Sequence, residues 1–207
     1  MRAAPVYIAF EGSEGSGKST HAARLAATLG ALATRETGGT VIGERLRAIL
    51  HDATVDDLDD RSEALIVAAD RAQHFAQVVL PALAAGRSVV SDRSVYSTLA
   101  YQGYGRGLDV EDLRRLNDWA MRGRWPDLVV FLDVADDVAA ARLAKRQLDR
   151  FEQAGGDFHR RVVEGFRALA SADPQRWIVA RPDGDKDDVA AGVHDAVVAR
   201  LGDVSAR

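Results

Sequence analysis

A glycine-rich segment near the amino terminus has the spacing of a loop that binds phosphate groups. Residues 12–19 read Gly-Ser-Glu-Gly-Ser-Gly-Lys-Ser, which fits the pattern G-x-x-x-x-G-K-[ST]. Its glycines allow backbone angles that turn successive N–H groups toward phosphate oxygens, and the helix that follows adds its positive end. Lys18 would neutralise the β- and γ-phosphates, and Ser19 would complete the coordination of Mg²⁺. The pattern predicts a nucleoside triphosphate site formed by Gly12, Ser13, Glu14, Gly15, Ser16, Gly17, Lys18, Ser19 and Thr20.

Two further segments could bind a second phosphorylated ligand. The charged, glycine-rich segment 34–40 contains Arg35 and could wrap a small molecule, although a polar turn explains it equally well. The segment 91–94 reads Ser-Asp-Arg-Ser and follows a predicted strand, where open α/β sheets place their ligands. Asp92 could position Mg²⁺, and Arg93 could bind a phosphate with two parallel hydrogen bonds.

A basic segment at 142–152 could act as a lid. Arg142, Arg146 and Arg150 recur every four residues, so they share one side of a helix and could bind one polyanion together. The Gly-Gly pair at 155–156 would supply a hinge. Positive charge stabilises a phosphoryl group in transfer, so such a lid over a phosphate loop makes chemical sense, although a solvated helix face has the same pattern.

The elements that position these residues alternate between strands and helices. Short apolar runs predict strands at 6–10, 87–91, 128–133 and 176–180, with a weaker fifth at 32–34. Helical spacing predicts helices at 18–29, 42–50, 61–84, 110–122, 136–148, 158–170 and 186–201. The alternation favours an α/β fold with a parallel sheet and helices on both faces.

Composition narrows the class of protein. The 207 residues suit one domain spanning 1–207, and 47% hydrophobic with 28% charged residues is typical of a globular chain. The net charge of -4 argues against a nucleic-acid or membrane partner, and no cysteine is present to supply a disulfide, a thiolate ligand or a nucleophile. No stretch is long and apolar enough to predict a membrane span, so we expect a cytoplasmic protein.

With these motifs in place, the sequence resembles the thymidylate kinase family over nearly its whole length. Five segments carry the resemblance in order: 10–20 (FEGSEGSGKST), 34–40 (TRETGGT), 92–93 (DR), 100–103 (AYQG) and 149–152 (DRFE). The resemblance implies the P-loop nucleoside-monophosphate-kinase fold, with a five-stranded parallel sheet and a helical lid at about 142–157. It also implies phosphoryl transfer from ATP to dTMP, a step of dTTP synthesis, with Mg²⁺ as cofactor and a homodimer as the assembly.

The resemblance also implies roles for individual residues. Glu14 would contact the 3′-hydroxyl of the acceptor sugar, Arg93 the acceptor phosphate and Arg71 the pyrimidine edge. Thr98 would hydrogen-bond the base, and Tyr101 would crowd the 2′ position and disfavour ribose. The implied catalytic residues are Lys18, Arg93, Arg142, Arg146 and Arg150, and the implied metal ligands are Glu14, Ser19 and Asp92. The implied substrate-binding residues are Glu14, Arg35, Val67, Arg71, Arg93, Thr98, Tyr101, Gln102, Asp149 and Glu152.

Two positions refine this expectation. Ser16 stands where some members have an arginine, which is similar to the bacterial-type arrangement, in which the lid supplies the catalytic charge. Val67 stands where the family usually has a phenylalanine that stacks on thymine. A kinase for another nucleotide or nucleoside therefore remains an alternative, as does a nucleotide-binding module without catalysis.

Overall fold

Among the residues that the structure describes, five parallel strands form one sheet. The computed structural model describes residues 4–135, 138, 149–182 and 184–204. The strands lie in the order β2-β3-β1-β4-β5 and are β1 (Tyr7–Glu11), β2 (Leu32–Arg35), β3 (Val89–Asp92), β4 (Leu128–Leu132) and β5 (Trp177–Ala180). The predicted five-stranded parallel sheet is confirmed, and each strand lies close to its predicted bounds.

Helices cover both faces of the sheet. They are α1 (Lys18–Leu29), α2 (Val41–His51), α3 (Asp60–His74), α4 (Leu80–Ala84), α5 (Val95–Thr98), α6 (Val110–Ala120), α7 (Gly156–Ala172) and α8 (Lys186–Val204). The predicted bounds of α1 match, because a left-handed Gly30 with φ of 62° ends the helix. In the described part of the chain, no helix is long and apolar enough to span a membrane.

The described helical segments differ from prediction in two places. A π-helical turn at Phe75–Val79 separates α3 from α4, where one helix over 61–84 was expected. A second π-helical turn at Leu99–Gly105 continues α5, in a segment for which we predicted no helix. The predicted helix at 136–148 lies outside the described residues, apart from Val138.

The hydrophobic core lies on both sides of the sheet because successive strand residues face opposite ways. Tyr7 and Phe131 face one side and belong to the same cluster as Phe166 of α7. Ile8 and Phe10 face the other side and pack in the cluster with α1 and α8. β1 is buried along its whole length, which explains why its sequence is an apolar run rather than an alternating one.

The order of the strands places one crevice at the centre of the sheet. β1 lies between β3 and β4, so the chain moves to one side of β1 first and to the other side later. Ligands of open α/β sheets bind at such a reversal, beyond the carboxyl ends of the strands. Phe10 of β1 pairs with Asp92 of β3, and the Arg93 N–H donates to the Phe10 carbonyl at 2.8 Å. The two predicted phosphate-binding segments therefore start side by side.

The second π-helical turn packs closely against α7. A Cβ atom added to Gly165 would lie 2.6 Å from Cγ of Tyr104. The side chain of Arg161 also binds this turn, because its Nη2 donates to the Gly105 carbonyl at 2.7 Å. Since Leu99–Gly105 carries two of the predicted substrate-binding residues, this contact fixes one wall of the crevice.

We expect Gly165→Ala to lower the free energy of unfolding by about 1–3 kcal/mol, because the added methyl group overpacks the contact with Tyr104. Gly192→Ala is the matched control: Gly192 lies in α8 with no atom within 4 Å of an added Cβ. That change should raise stability by about 0.5–1 kcal/mol through helix propensity. Urea unfolding measures the free energy of unfolding of both variants. A change of the same sign in the two variants would contradict the close contact at Gly165.

Candidate active site

A cavity of about 870 Å³ opens at the carboxyl edge of the sheet. Its lining includes residues of the phosphate loop, of the segment 34–39 after β2 and of the segment that follows β3. Further lining residues come from α1, β2, α2 and α3, together with Asp149 and Phe151. Segments far apart in the sequence therefore meet around one space that is large enough for nucleotide ligands.

The phosphate loop has the backbone form that its glycines predicted. Gly15 and Gly17 have φ of 73° and 93°, a region that other residues rarely adopt. Lys18 is buried, and its ammonium group donates to the Ser13 carbonyl at 2.7 Å and to Ser16 Oγ at 3.2 Å. Burial lowers the pKa of Lys18 to about 8, and Arg93 acts in the same direction. The negative charge of a bound phosphate would offset that desolvation.

Not every residue of this loop faces the cavity. The lining residues are Glu14, Gly15, Gly17, Lys18, Ser19 and Thr20. Gly12, Ser13 and Ser16 are not among them: Ser13 and Ser16 hold Lys18, and the Gly12 carbonyl accepts a bond from Arg93 at 3.2 Å. Oxygen atoms of these three residues thus hold the two cations Lys18 and Arg93.

Ser19 and Asp92 have the chemistry of a magnesium site. The Ser19 hydroxyl donates to Asp92 Oδ2 at 2.5 Å, and both side chains line the cavity. The other carboxylate oxygen, Oδ1, is buried and has no hydrogen-bond partner in the described part of the chain. Mg²⁺ is usually held by one or two protein oxygens together with phosphate oxygens and water. The residues fit that group, and the described residues contain no cluster of three or more His, Cys, Asp or Glu that would suggest a different metal centre.

Arg93 and Glu14 form an ion pair at the centre of the cavity. Arg93 Nη2 donates to Glu14 Oε1 and to the Tyr101 hydroxyl, the latter at 3.2 Å, and the guanidinium lies 5.0 Å from the centre of the Tyr101 ring. Burial alone would raise the pKa of Glu14, but Arg93 and Lys18 lower it to about 2. The guanidinium of Arg93 thus already binds an anion here. Glu14, expected among the metal ligands, is committed to Arg93 in this structure.

Arg71 is buried at the side of the cavity and is held by four acceptors. Its Nε donates to Glu36 Oε2 at 2.8 Å, its Nη1 to Thr98 Oγ1 at 2.9 Å and to Asn117 Oδ1, and its Nη2 to the Ser94 carbonyl at 3.1 Å. A guanidinium has five N–H groups, so within the described residues one N–H on Nη2 is left for a ligand. Arg71 can therefore present a single donor in a fixed direction.

A buried network fixes Glu36 in turn. His74 Nδ1 lies 2.9 Å from the second Glu36 oxygen, and His74 Nε2 lies 2.7 Å from the Thr34 hydroxyl. Burial acts to raise the pKa of Glu36, but the charge of Arg71 and the bonds to His74 hold it below its ordinary value. An ionised Glu36 keeps Arg71 in place.

Thr98, Gln102 and Val67 line the cavity next to Arg71. Thr98 accepts from Arg71, so its own hydroxyl proton is available to donate. Gln102 Nε2 donates to Glu63 at 2.7 Å; a carboxylate can only accept, so the amide oxygen of Gln102 is its available acceptor. Val67 contributes an aliphatic wall. Together these groups offer donors, an acceptor and an apolar surface to one ligand.

Arginines crowd the opposite side of the cavity. Arg47 of α2 lines it and donates to the Thr37 carbonyl at 3.2 Å, and the predicted Arg35 lines it nearby. Burial lowers the pKa of Arg47, and the charges of Arg35 and Arg93 lower it further. Cations that repel one another across an open cavity favour a ligand with negative charge.

Asp149 reaches the cavity, whereas Glu152 supports it from outside. Asp149 Oδ2 lies 2.7 Å from His51 Nδ1 at the end of α2. Glu152 accepts from the Asp149 N–H at 3.0 Å, and Asp149 accepts from the Glu152 N–H at the same distance. Burial acts to raise the pKa of Asp149, but these bonds, first that to His51, lower it. Glu152 is buried and is not a lining residue, so it positions Asp149.

The structure does not bring Arg150 to the cavity. Residue 150 lies in a turn, and its Nη2 donates to the buried carboxylate of Glu63 at 2.5 Å while its Nε donates to the Leu50 carbonyl at 3.0 Å. The expectation that Arg150 faces the phosphates is therefore not met here, because Glu63 competes for its charge. Arg142 and Arg146 lie outside the described residues.

Sequence reasoning missed Arg47, His51 and two carboxylates, Glu11 and Glu36. Glu36 lies within the segment 34–40 that was singled out, but nothing local indicated that it would bind Arg71. Glu11 had a visible signal, since it is a charged residue directly after an apolar strand run. Its carboxylate is fully buried, and burial raises its pKa to about 7 against hydrogen bonds from Ser94 and Ser97, which lower it.

Because two phosphate-binding segments meet in one cavity at the carboxyl edge of a doubly wound parallel sheet, the fold and the site define a nucleotide phosphotransferase of the P-loop class. Comparison with known proteins narrows the class. The sequence model of the family described as "Thymidylate kinase" matches residues 10–191. The chain belongs to the thymidylate kinase family.

Individual relatives agree over almost the whole chain. Thymidylate kinase from Synechococcus sp. (strain JA-2-3B'a(2-13)) is 47% identical over 201 residues, which cover 95% of this chain and 96% of the relative. That from Solidesulfovibrio magneticus is 46% identical over 91% of this chain and 96% of the relative. The crystal structure of thymidylate kinase from Ehrlichia chaffeensis superposes with a TM-score of 0.77 at 32% identity, covering 93% and 98% of the two chains.

We expect Glu11→Gln to change the pH dependence of stability. Burial raises the pKa of Glu11 from its ordinary 4.5 to about 7 in the folded protein, so ionising Glu11 disfavours the fold. The stability that the protonated side chain contributes is fully present below about pH 4.5 and is lost as pH rises through about 7. The shift corresponds to about 3 kcal/mol. From pH 4.5 to 8, urea unfolding should show the parent losing about that much stability relative to the variant.

The control for this experiment is Glu164→Gln, which removes an exposed carboxylate of α7. It corrects for the general effect of taking one negative charge from the chain. Parallel stability profiles for the parent and Glu11→Gln would contradict a raised pKa at Glu11.

Proposed function

We infer that this protein transfers the γ-phosphoryl group of ATP to dTMP, which gives dTDP and ADP. The observation that carries the inference is the union of two kinds of group in one cavity: the phosphate loop, and the set formed by Arg71, Thr98 and Gln102. Membership of the thymidylate kinase family supports the same activity.

The phosphate loop would bind ATP. Its inward-facing backbone and Lys18 suit the β- and γ-phosphates. Ser19 and Asp92 would hold Mg²⁺, which when bound neutralises charge on the phosphate oxygens. Lys18 is held in place by Ser13 and Ser16, so it meets the phosphates without reorganisation.

The acceptor phosphate would bind among the arginines. Arg93 already pairs with the Glu14 carboxylate, and Arg47 and Arg35 supply further positive charge. An incoming phosphate would share Arg93 with Glu14 or displace its carboxylate, which would leave Glu14 available to the sugar. Asp149, held by His51, would help to orient the acceptor.

The hydrogen-bonding groups beside Arg71 select the base. Arg71 and Thr98 each have a proton to donate, and Gln102 has an oxygen to accept. Thymine presents carbonyl oxygens and one ring N–H, which complement this set, whereas cytosine presents an amino group where thymine has the O4 acceptor. Mismatched donors are left unpaired in a buried site, which strongly disfavours the wrong base. Val67 gives the base an aliphatic contact instead of a stacked ring.

Tyr101 would exclude ribose. Its ring packs edge-on against Phe151, Phe158 and Phe166, with ring centres 6.0 to 6.2 Å apart. A ring held on three sides cannot move away from an added 2′-hydroxyl. This rigidity supports a preference for deoxyribose.

The transfer needs no protein nucleophile. An oxygen of the acceptor phosphate forms a bond to the γ-phosphorus as the bond from that phosphorus to the β–γ bridging oxygen breaks, and ADP leaves with the electron pair. The chain contributes positioning and positive charge, through Lys18 and Arg93 within the described residues. A contribution from Arg142 and Arg146 stays a prediction.

An assay of ADP release with ATP, Mg²⁺ and a panel of acceptors tests this function. We expect dTMP to give the highest kcat/KM, dUMP a lower one because it lacks the methyl group, and UMP, dCMP, CMP, AMP, GMP and thymidine far lower values. A different preferred acceptor would keep the fold and the chemistry but contradict the base-reading set. Tight ATP binding without transfer to any acceptor would indicate a regulatory module.

We also propose that 1–207 is one domain with its lid at about 142–157, that it works in the cytoplasm, and that it forms a homodimer. The dimer is supported by large apolar side chains that face solvent on neighbouring helices: Leu65 of α3 is 56% exposed and Trp119 of α6 is 80% exposed. A single chain that exposes such groups together leaves an apolar patch that a second copy would cover.

We expect Trp119→Asp and Leu65→Asp to shift the protein from dimer to monomer in sedimentation velocity, because an unpaired charge opposes burial at an apolar contact. Val198→Asp is the control, since Val198 is 46% exposed on the distant helix α8 and should leave the dimer intact. A monomeric parent, or dimeric variants, would contradict the proposal.

A further inference from the structure

Glu11 is a buried carboxylate at the end of β1, directly before the phosphate loop. Its Oε1 accepts from the Ser94 hydroxyl at 2.6 Å and from the Ser97 N–H at 3.2 Å. Its Oε2 accepts from the Ser97 hydroxyl at 2.6 Å. Three donors from the segment after β3 therefore converge on one side chain of β1.

The hydroxyl of Ser97 continues this connection to Arg93. A hydroxyl has one proton, and that of Ser97 is committed to Glu11, so its lone pairs face other donors. Arg93 Nη1 uses one of them and lies 3.1 Å from Ser97 Oγ. Arg93 thus donates to Ser97, and Ser97 donates to Glu11, so the three side chains form one chain of hydrogen bonds.

Arg93 is tied to β1 by a second route as well. The same nitrogen, Nη1, donates to the carbonyl of Gly12, the residue after Glu11, at 3.2 Å. The other nitrogen, Nη2, faces Glu14 and Tyr101 in the cavity. One edge of the guanidinium is therefore fixed to the start of the phosphate loop, and the other edge is presented to ligands.

We propose that Glu11 is a positioning residue for phosphoryl transfer: through the Ser97 hydroxyl, its carboxylate holds Arg93 at a set distance from the phosphate loop. The proposal rests on the proposed function, in which Arg93 binds the acceptor phosphate. Correct placement of Arg93 relative to ATP sets the approach of the two reacting groups, and small errors in such placement cost large factors in rate.

The chemistry of the position distinguishes this role from simple support of the fold. A buried carboxylate is costly unless several donors satisfy it, and an apolar residue would fill the end of β1 without that cost. Of its two hydroxyl partners, Ser97 contacts Arg93 with its side chain, whereas Ser94 uses its hydroxyl for Glu11 and for the N–H of Tyr96 at 3.4 Å. Substituting Ser94 and Ser97 one at a time can therefore distinguish positioning of Arg93 from support of the fold.

The experiment compares Glu11→Gln, Ser97→Ala, Ser97→Thr, Ser94→Ala and the double variant Glu11→Gln/Ser97→Ala. Steady-state rates are measured with ATP and dTMP varied independently, and circular dichroism confirms that each protein folds. Ser97→Thr keeps the hydroxyl and serves as the conservative rescue. If Glu11→Gln fails to fold, the comparison of Ser97→Ala with Ser97→Thr decides the outcome.

We expect Glu11→Gln and Ser97→Ala each to lower kcat/KM for dTMP about 10- to 100-fold, with KM for ATP changed less than about 2-fold. The double variant should be no worse than the more damaging single change, because both break the same chain of bonds. Ser97→Thr should retain most activity, and Ser94→Ala should lose less than Ser97→Ala.

Three results would overturn the proposal and leave Glu11 with a role in folding only. They are additive losses of kcat/KM in the double variant, equal losses for Ser97→Ala and Ser94→Ala, and a parallel rise of KM for ATP. The parent enzyme separates this result from failure of the proposed function. If the parent does not phosphorylate dTMP, the proposed function fails and the role of Glu11 fails with it. If the parent does, the variants test Glu11 alone.

Discussion

Pairing of buried carboxylates with arginines is the interaction on which the cavity depends. Glu36 holds Arg71, and Glu63 holds Arg106 and Arg150, with each carboxylate almost fully buried. Because an unpaired buried charge costs far more than a surface pair contributes, neither partner can leave its position without a replacement. The cavity walls are therefore fixed where they contact a ligand, because each buried arginine is held by its carboxylate.

The same pairing explains how one site can hold two anionic ligands. The charge of Arg93 lowers the pKa of Lys18, and both cations lower the pKa of Glu14, whose negative charge compensates them. The phosphates of bound nucleotides would supply the negative charge that offsets Lys18 and Arg93. The strand order makes the arrangement possible, since β1 and β3 are neighbours and deliver the two phosphate-binding segments to the same edge.

Local patterns in the sequence predicted the elements well because each had an unambiguous signal. The apolar run of β1, the glycine pattern of the loop and Gly30 at the end of α1 each depend on nearby residues alone. The π-helical turn at Leu99–Gly105 could not be predicted, because packing of Gly105 and Tyr104 against α7 overrides the weak helix propensity of its sequence.

The sequence predicted which residues line the site better than it predicted which side chains bind one another. The segment 91–94 indicated Arg93, and the family resemblance implied Arg71 and Thr98; all three line the cavity. That Glu36 binds Arg71 across 35 positions, or that Glu63 withdraws Arg150 from the cavity across 87, depends on tertiary geometry that no local spacing encodes. Periodicity placed Arg150 on a helix face, but in the structure residue 150 lies in a turn.

The central place of β1 in the sheet has a consequence for synthesis of the chain. β1 is synthesised before both of its neighbours, β3 and β4, so its second partner does not exist until residue 132 has been made. Until then an apolar strand and the loop after it lack part of the pairing that shapes them, and the nascent chain exposes apolar surface that is later buried. A chain truncated before β4 would carry the complete phosphate-binding motif without a working phosphate site.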